Sequence, residues 1–366
     1  MDTKKVCGVF SKTSDLFAAI LGETETKVYS RTSYPLCTQA ERRLASYAHA
    51  EEAALFNSGM AAIAAVMTSI VQGKVKMILA SNCLYPKTRV LIEELIGKLM
   101  GVELIWSDPA EERFYQMVSY PSIDLVFVEI IGNGPAMPVA DIPRLLEIMA
   151  KENRDLHMIV DNTFLTPALY SVMALADEKK VTDRVVVVES GTKYYQYGRD
   201  LVHFGMIYGP EDIIREVKKT RTWLGSILPE ACLLQVPQNI FSIRGQGRIM
   251  VRHSTNAHYL ANQLKHEKSG QVISIRYPFG GILNLTSAGG VLFIQLKGGP
   301  EAVEQFCDTL KYCKIGTSFG HSYTWVFPWG ALPLSGFASG YVRVAVGWEQ
   351  DINEVIADFQ QALARL

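Results

Sequence analysis

The 366-residue chain has no excess of charge of either sign: 36 Lys and Arg stand against 37 Asp and Glu, a formal net charge of −1. Without a basic field there is nothing to concentrate nucleic acid or an anionic membrane surface, so neither is expected as a partner. Long apolar runs are missing as well. The longest, residues 60–71, is interrupted by Thr68 and Ser69 and falls short of the roughly 20 residues that span a bilayer. The opening segment MDTKKVCGVF has two lysines but no apolar core of a secretory signal. Cysteine is scarce: Cys7, Cys37, Cys83, Cys232, Cys307 and Cys313 are scattered, with no C-x-x-C and no paired spacing. That usage predicts reduced thiols in the cytoplasm and excludes a disulfide frame or a zinc ribbon. The seven histidines show no H-E-x-x-H or other ligand spacing, so no metal is expected. Low-complexity segments and internal repeats are absent too. What remains is an ordinary globular composition, 48% hydrophobic with 28 Gly and 15 Pro, and small-molecule chemistry.

From about residue 40 to residue 230 short apolar runs alternate with stretches of helical spacing. Residues 74–80 (KVKMILA), 124–130 (DLVFVEI), 157–160 (HMIV) and 184–188 (RVVVV) read as strands apolar on both faces. Residues 61–70, 89–100, 141–151 and 167–176 place apolar side chains at i, i+3 and i+4. Buried strands alternating with helices predict βαβ units and an α/β fold with a mainly parallel sheet. Beyond residue 235 the pattern changes. A long helix over 244–266 precedes strand-like runs at 290–296 and 341–346, then amphipathic helices at 300–310 and 353–366. The expected organisation is an irregular N-terminal arm (1–40), a large domain (41–238) and a smaller C-terminal α+β domain (239–366).

In open parallel sheets ligands bind beyond the carboxyl ends of the strands. The residues following each predicted strand are therefore the candidates. They are Tyr85 and Lys87, then Asn133, then Asp161, then Ser190, Thr192 and Lys193. Upstream, Ser58, Gly59 and Met60 turn into a helix whose free N–H groups suit an anion. Taken singly, Lys193 is a loop lysine and Asp161 a turn former. Their order at successive strand ends carries the chemistry. A desolvated lysine forms a Schiff base with an aldehyde, a carboxylate keeps a pyridine nitrogen protonated, and a helix N-terminus holds a phosphate. Pyridoxal 5′-phosphate (PLP) needs those groups and an aromatic to stack on. GQG at 245–247 lacks a third glycine and a preceding strand, which excludes a dinucleotide site.

YSR at 29–31, FNSGMAAI at 56–63, VDNTFLTP at 160–167 and SGTKYYQYGRD at 190–200 closely resemble the Cys/Met-metabolism family of PLP enzymes. That family includes cystathionine γ-synthase, the cystathionine lyases and methionine γ-lyase. The likeness continues through GGVLFIQL at 289–296, TSFGHSYT at 317–324 and YVRVAVGWEQ at 341–350. It implies PLP fold type I, like aspartate aminotransferase, and a homodimer as the minimal active unit within a homotetramer. It also implies β/γ-elimination or γ-replacement on a sulfur-containing or O-activated amino acid. By position, the resemblance makes Lys193 the Schiff-base lysine and Asp161 the partner of the pyridine nitrogen. Ser58, Gly59, Met60, Ser190 and Thr192 fall at the phosphate, and Tyr29 and Arg31 at the phosphate of the neighbouring subunit. Tyr85 stacks on the ring and serves as acid/base, while Asn133 lies near the phenolic oxygen. Arg343, helped by Ser318, grips the substrate carboxylate; a guanidinium fork suits a carboxylate in bidentate geometry.

The departures fall together. Pro86 and Lys87 follow Tyr85 where glycines are usual, His321 and Tyr323 follow the Ser-x-Gly at 318–320, and NGP stands in place of NP. The cofactor residues are intact and the substrate side is altered. Lys87, His321 and Tyr323 are therefore expected on the side-chain pocket. Two alternatives stay open: a biosynthetic γ-replacement enzyme with an atypical substrate, and a cofactor-free relative acting as a binding subunit.

Overall fold

The computed structural model describes residues 7–366 apart from 22, 25, 27, 73–74, 153–154, 279–287 and 333–337. Seven strands form the larger sheet: β1 (Glu52–Phe56), β2 (Met77–Ser81), β3 (Glu103–Ser107), β4 (Leu125–Glu129), β5 (His157–Asp161), β6 (Val185–Ser190) and β7 (Gly205–Gly209). Their spatial order is β1-β7-β6-β5-β4-β2-β3. The five from β3 to β6 pair in parallel, as the alternation of strands and helices predicts. At the other edge β7 runs antiparallel to β6 and β1. The reason is the connection: residues 191–204 contain no crossover helix, so the chain turns straight back after β6.

Strand composition explains the two-faced burial. Val185 and Val187 pack into one core with Val126, Val128, Met158 and Val160. Val186 and Val188 pack into the opposite core with Leu125, Phe127 and Ile159. Side chains of successive residues point to opposite faces. A run of valines therefore feeds two cores at once, and its β-branched side chains suit the pleated surface. Helix Gly59–Val71 covers the second face and helix Ile142–Lys151 the first.

The second sheet has β8 (Val272–Arg276), β9 (Val291–Leu296), β10 (Lys314–Ile315), β11 (Trp325–Phe327) and β12 (Tyr341–Ala345), in order β10-β11-β12-β9-β8. Its core is shared with helices Arg248–Lys265, Gly299–Thr309 and Ile352–Leu363. Among the described residues no helix is long and apolar enough to cross a membrane.

Three expectations are corrected. The stretch 1–40 is not all irregular: Thr13–Ile20 is helical, and Pro35 opens a helix that runs to Ala48. Cys37, Ala40, Leu44, Ala45 and Ala48 are buried there at helical spacing, a stripe that begins inside the expected arm. The expected helix 167–176 is two, Thr166–Leu169 and Val172–Glu178; Tyr170 leaves helical geometry and the Ser171 side chain caps the second. Strand residue Lys74 falls outside the described residues, and the observed strand begins at Met77.

Candidate active site

The carboxyl ends of β2, β4, β5 and β6 share one rim, and a cavity of about 630 Å³ opens there, closed on its far side by the small sheet. That is the size of a ligand site.

The helix Gly59–Val71 points its N-terminus into this space. Ser58 caps it by accepting from the Ala61 N–H at 3.0 Å. The first N–H groups of a helix have no intrahelical partner, so those of Gly59 and Met60 face the cavity as donors. Close approach is built in: a Cβ on Gly205 of β7 would lie 2.3 Å from the Ser58 carbonyl oxygen. Ser190 and Thr192 line the same end. The Ser190 N–H donates to Thr163 Oγ1 at 2.9 Å.

Lys193 lies in the turn that leaves β6. Its Nζ donates to Ser318 Oγ at 2.8 Å and sits 5.0 Å from the Phe319 ring centre. Burial, reinforced by the nearby Arg343 guanidinium, pushes its ammonium down to about 8. Gly320 makes this contact possible: its φ is +87°, and a Cβ there would lie 2.4 Å from the Lys193 carbonyl oxygen.

Asp161 ends β5 and accepts from the Thr163 N–H at 2.9 Å. Burial pushes its carboxyl up to about 6. Strand register sets Glu129 of β4 directly beside it. Glu129 takes the Tyr85 N–H at 2.5 Å and is raised well above the carboxylate range by burial and by Asp161. Glu189, one residue before Ser190, accepts from the Tyr195 and Tyr208 hydroxyls; burial pushes it up to about 8. A positive group placed against Asp161 would restore its charge.

At the other end Arg343 on β12 is buried. Its Nη2 donates to the Thr317 and Ser318 carbonyls while Nε has no partner. Burial lowers it to about 10. Asn133 Oδ1 is a second buried atom without a partner, and Asn133, Tyr85 and Lys87 all line the cavity.

These features fit PLP: a donor-lined end for phosphate, a carboxyl awaiting a cation, a depressed lysine, and polar atoms left unpaired. Four expected residues lie off the cavity wall. Tyr29 and Arg31 are exposed, and Arg31 Nη1 donates to the Thr222 carbonyl at 2.9 Å. His321 sits behind Trp325, stacked on it, because the loop at 318–322 turns inward at Gly320. Tyr323 is 48% exposed. Sequence reading missed Glu129, Glu189 and Thr163. It also missed the aromatic wall of Trp325, Phe327 and Trp329.

The family model for Cys/Met metabolism PLP-dependent enzymes matches residues 5–364. The chain belongs to that family. It is a PLP-dependent enzyme, a lyase or transferase by family. An L-methionine γ-lyase of Treponema denticola is 28% identical across 94% of this chain and 86% of its own length. A cystathionine γ-synthase of Haemophilus influenzae is 27% identical across 94% and 89%. An O-succinylhomoserine sulfhydrylase of Pseudomonas aeruginosa is 28% identical across 98% and 89%. These relatives differ in reaction, so family membership sets the cofactor and the class of chemistry.

Proposed function

We propose that this PLP enzyme eliminates or replaces a β or γ group of a sulfur-containing or O-activated amino acid, with Lys193 as its catalytic base. The observation that carries the reading is Lys193 itself: a half-buried, depressed amine held by Ser318 in one cavity with Asp161 and the helix N-terminus. Bound there, PLP would supply an electron sink for a carbanion at the substrate Cα.

The chain's residues do the rest. The Gly59 and Met60 N–H groups, with Ser58, Ser190 and Thr192, bind the phosphate. Asp161 would hold the pyridine nitrogen protonated, and Asn133 would lie near the phenolic oxygen. Arg343 takes the substrate α-carboxylate through its fork, helped by Ser318. Lys193 Nζ, already part-neutral near pH 7, removes the Cα proton. Tyr85 would stack on the ring, and its hydroxyl would give a proton to the leaving group. Tyr29 and Arg31 complete the phosphate site of a second subunit, making the active unit a homodimer within a homotetramer. The large and small domains divide at residue 238, and the large domain takes in the whole helix Pro35–Ala48, across the expected arm boundary at 40. The unpaired cysteines fit a cytoplasmic enzyme.

The test is product release. Homocysteine, methionine, cystathionine and O-acyl homoserine are offered with and without a thiol. Pyruvate reports β-elimination, 2-oxobutyrate γ-elimination, and a new thioether replacement. No 2-oxo acid and no thioether from any of them would overturn the reading.

A further inference from the structure

We propose that Trp325 and Phe327 are specificity-determining residues that select a substrate whose substituent beyond the leaving atom is apolar and larger than a methyl group. The inference rests on the function proposed above and concerns the far half of the same cavity. Strand β11 is only Trp325, Val326 and Phe327, and its side chains alternate. Val326 is fully buried in the small-sheet core. Trp325 and Phe327 therefore turn to the opposite face, where both line the cavity and keep part of their surface uncovered.

Each ring is held by a neighbouring ring. His321 stacks on Trp325 with ring centres 3.9 Å apart and planes 14° from parallel. Trp329 meets Phe327 edge to face at 5.8 Å and 89°. Rings held this way are a preformed apolar surface, so a ligand loses little by ordering them.

The position follows from Arg343, whose guanidinium lies 5.2 Å from the Phe327 ring centre. A substrate with its carboxylate on Arg343 and its Cα at Lys193 has its remaining chain between this wall and the mouth at Tyr85. The charged residues near the mouth, Lys87 and Asp200, are exposed, and solvated charges contribute little to binding. Apolar contact is worth more, about fourfold per added methylene. A distal ammonium is disfavoured further, because the Phe327 and Trp329 rings already face the Arg343 guanidinium.

The experiment reads binding without turnover. Norvaline, norleucine and 2-aminooctanoate, which have no leaving group, are titrated into the PLP-loaded enzyme by calorimetry and tryptophan fluorescence. 2,6-Diaminopimelate, with a distal ammonium and carboxylate, is the charged comparison. The expected Kd falls about fourfold per methylene, and diaminopimelate binds about tenfold more weakly than 2-aminooctanoate. Phe327→Ala and Trp325→Ala flatten the series. The wild-type series needs no variant, so a variant that fails to fold leaves the test standing. A flat wild-type series, or diaminopimelate binding as tightly as 2-aminooctanoate, overturns the inference alone. A protein that takes up no PLP overturns the proposed function and this inference together.

Discussion

The two ends of the cavity are made by different means. The end proposed for the cofactor is built from residues that terminate long-range strands with buried centres: Glu129, Asp161 and Ser190 are fixed by the register of β4, β5 and β6. A one-residue slip would turn every valine of these strands to the wrong core. The far wall hangs on a three-residue strand and its loops, with Trp325 and Phe327 facing in. Change there disturbs one small ladder. The first end is tied to the fold, so a shared cofactor and divergent substrates within one family follow from the architecture.

The largest expected effect tests the tied end. Lys193→Ala should lower turnover by about 10³-fold or more, since base and covalent tether vanish together; steady-state product release checks it. Arg343→Ala should then cost about 10²-fold in kcat/KM, chiefly through KM, by stranding the substrate carboxylate in a buried site. Arg343→Lys should recover little, because an ammonium lacks the planar fork. Gly205→Ala pushes a methyl toward the Ser58 carbonyl and should weaken PLP affinity about tenfold without altering the apolar binding series. Fluorescence titration of cofactor-free protein with PLP would show it. Lys87→Met, at the exposed mouth, should change kcat/KM by no more than about twofold.

Glu189 sharpens the contrast through pH. Its folded pKa, about 8, is raised above the ordinary carboxylate value by burial. Its stabilising contribution is therefore full below the unfolded value and lost as pH rises through 8. Glu189→Gln should match the wild type near pH 5 and gain about a few degrees in melting temperature on it by pH 8. Melting curves across that range decide the sign. Equal shifts at both pH values would contradict a buried acid.

Much of the cofactor end was legible in the sequence because its residues follow valine-rich runs whose period and length identify strands. VDNTF and SGTKYY gave Asp161 and Lys193 that way. Glu129 was hidden because it lies inside its apolar run, and only pairing with β5 shows that it flanks Asp161. Strands β1, β3 and β7 were missed; EAALF and GMIYG carry no strand signature without the neighbours they pair with. The aromatic wall was missed for a related reason. A three-residue strand is too short for periodicity, and His321 looked like a pocket residue until its stacking on Trp325 placed it behind the wall.

The most direct test of the central claim is the visible absorption of the PLP-incubated protein before and after borohydride, followed by peptide mapping. The account predicts a yellow protein whose visible band is bleached by borohydride, with the cofactor mass fixed on the peptide carrying Lys193. A protein that stays colourless, or a label fixed on any other lysine, would contradict it.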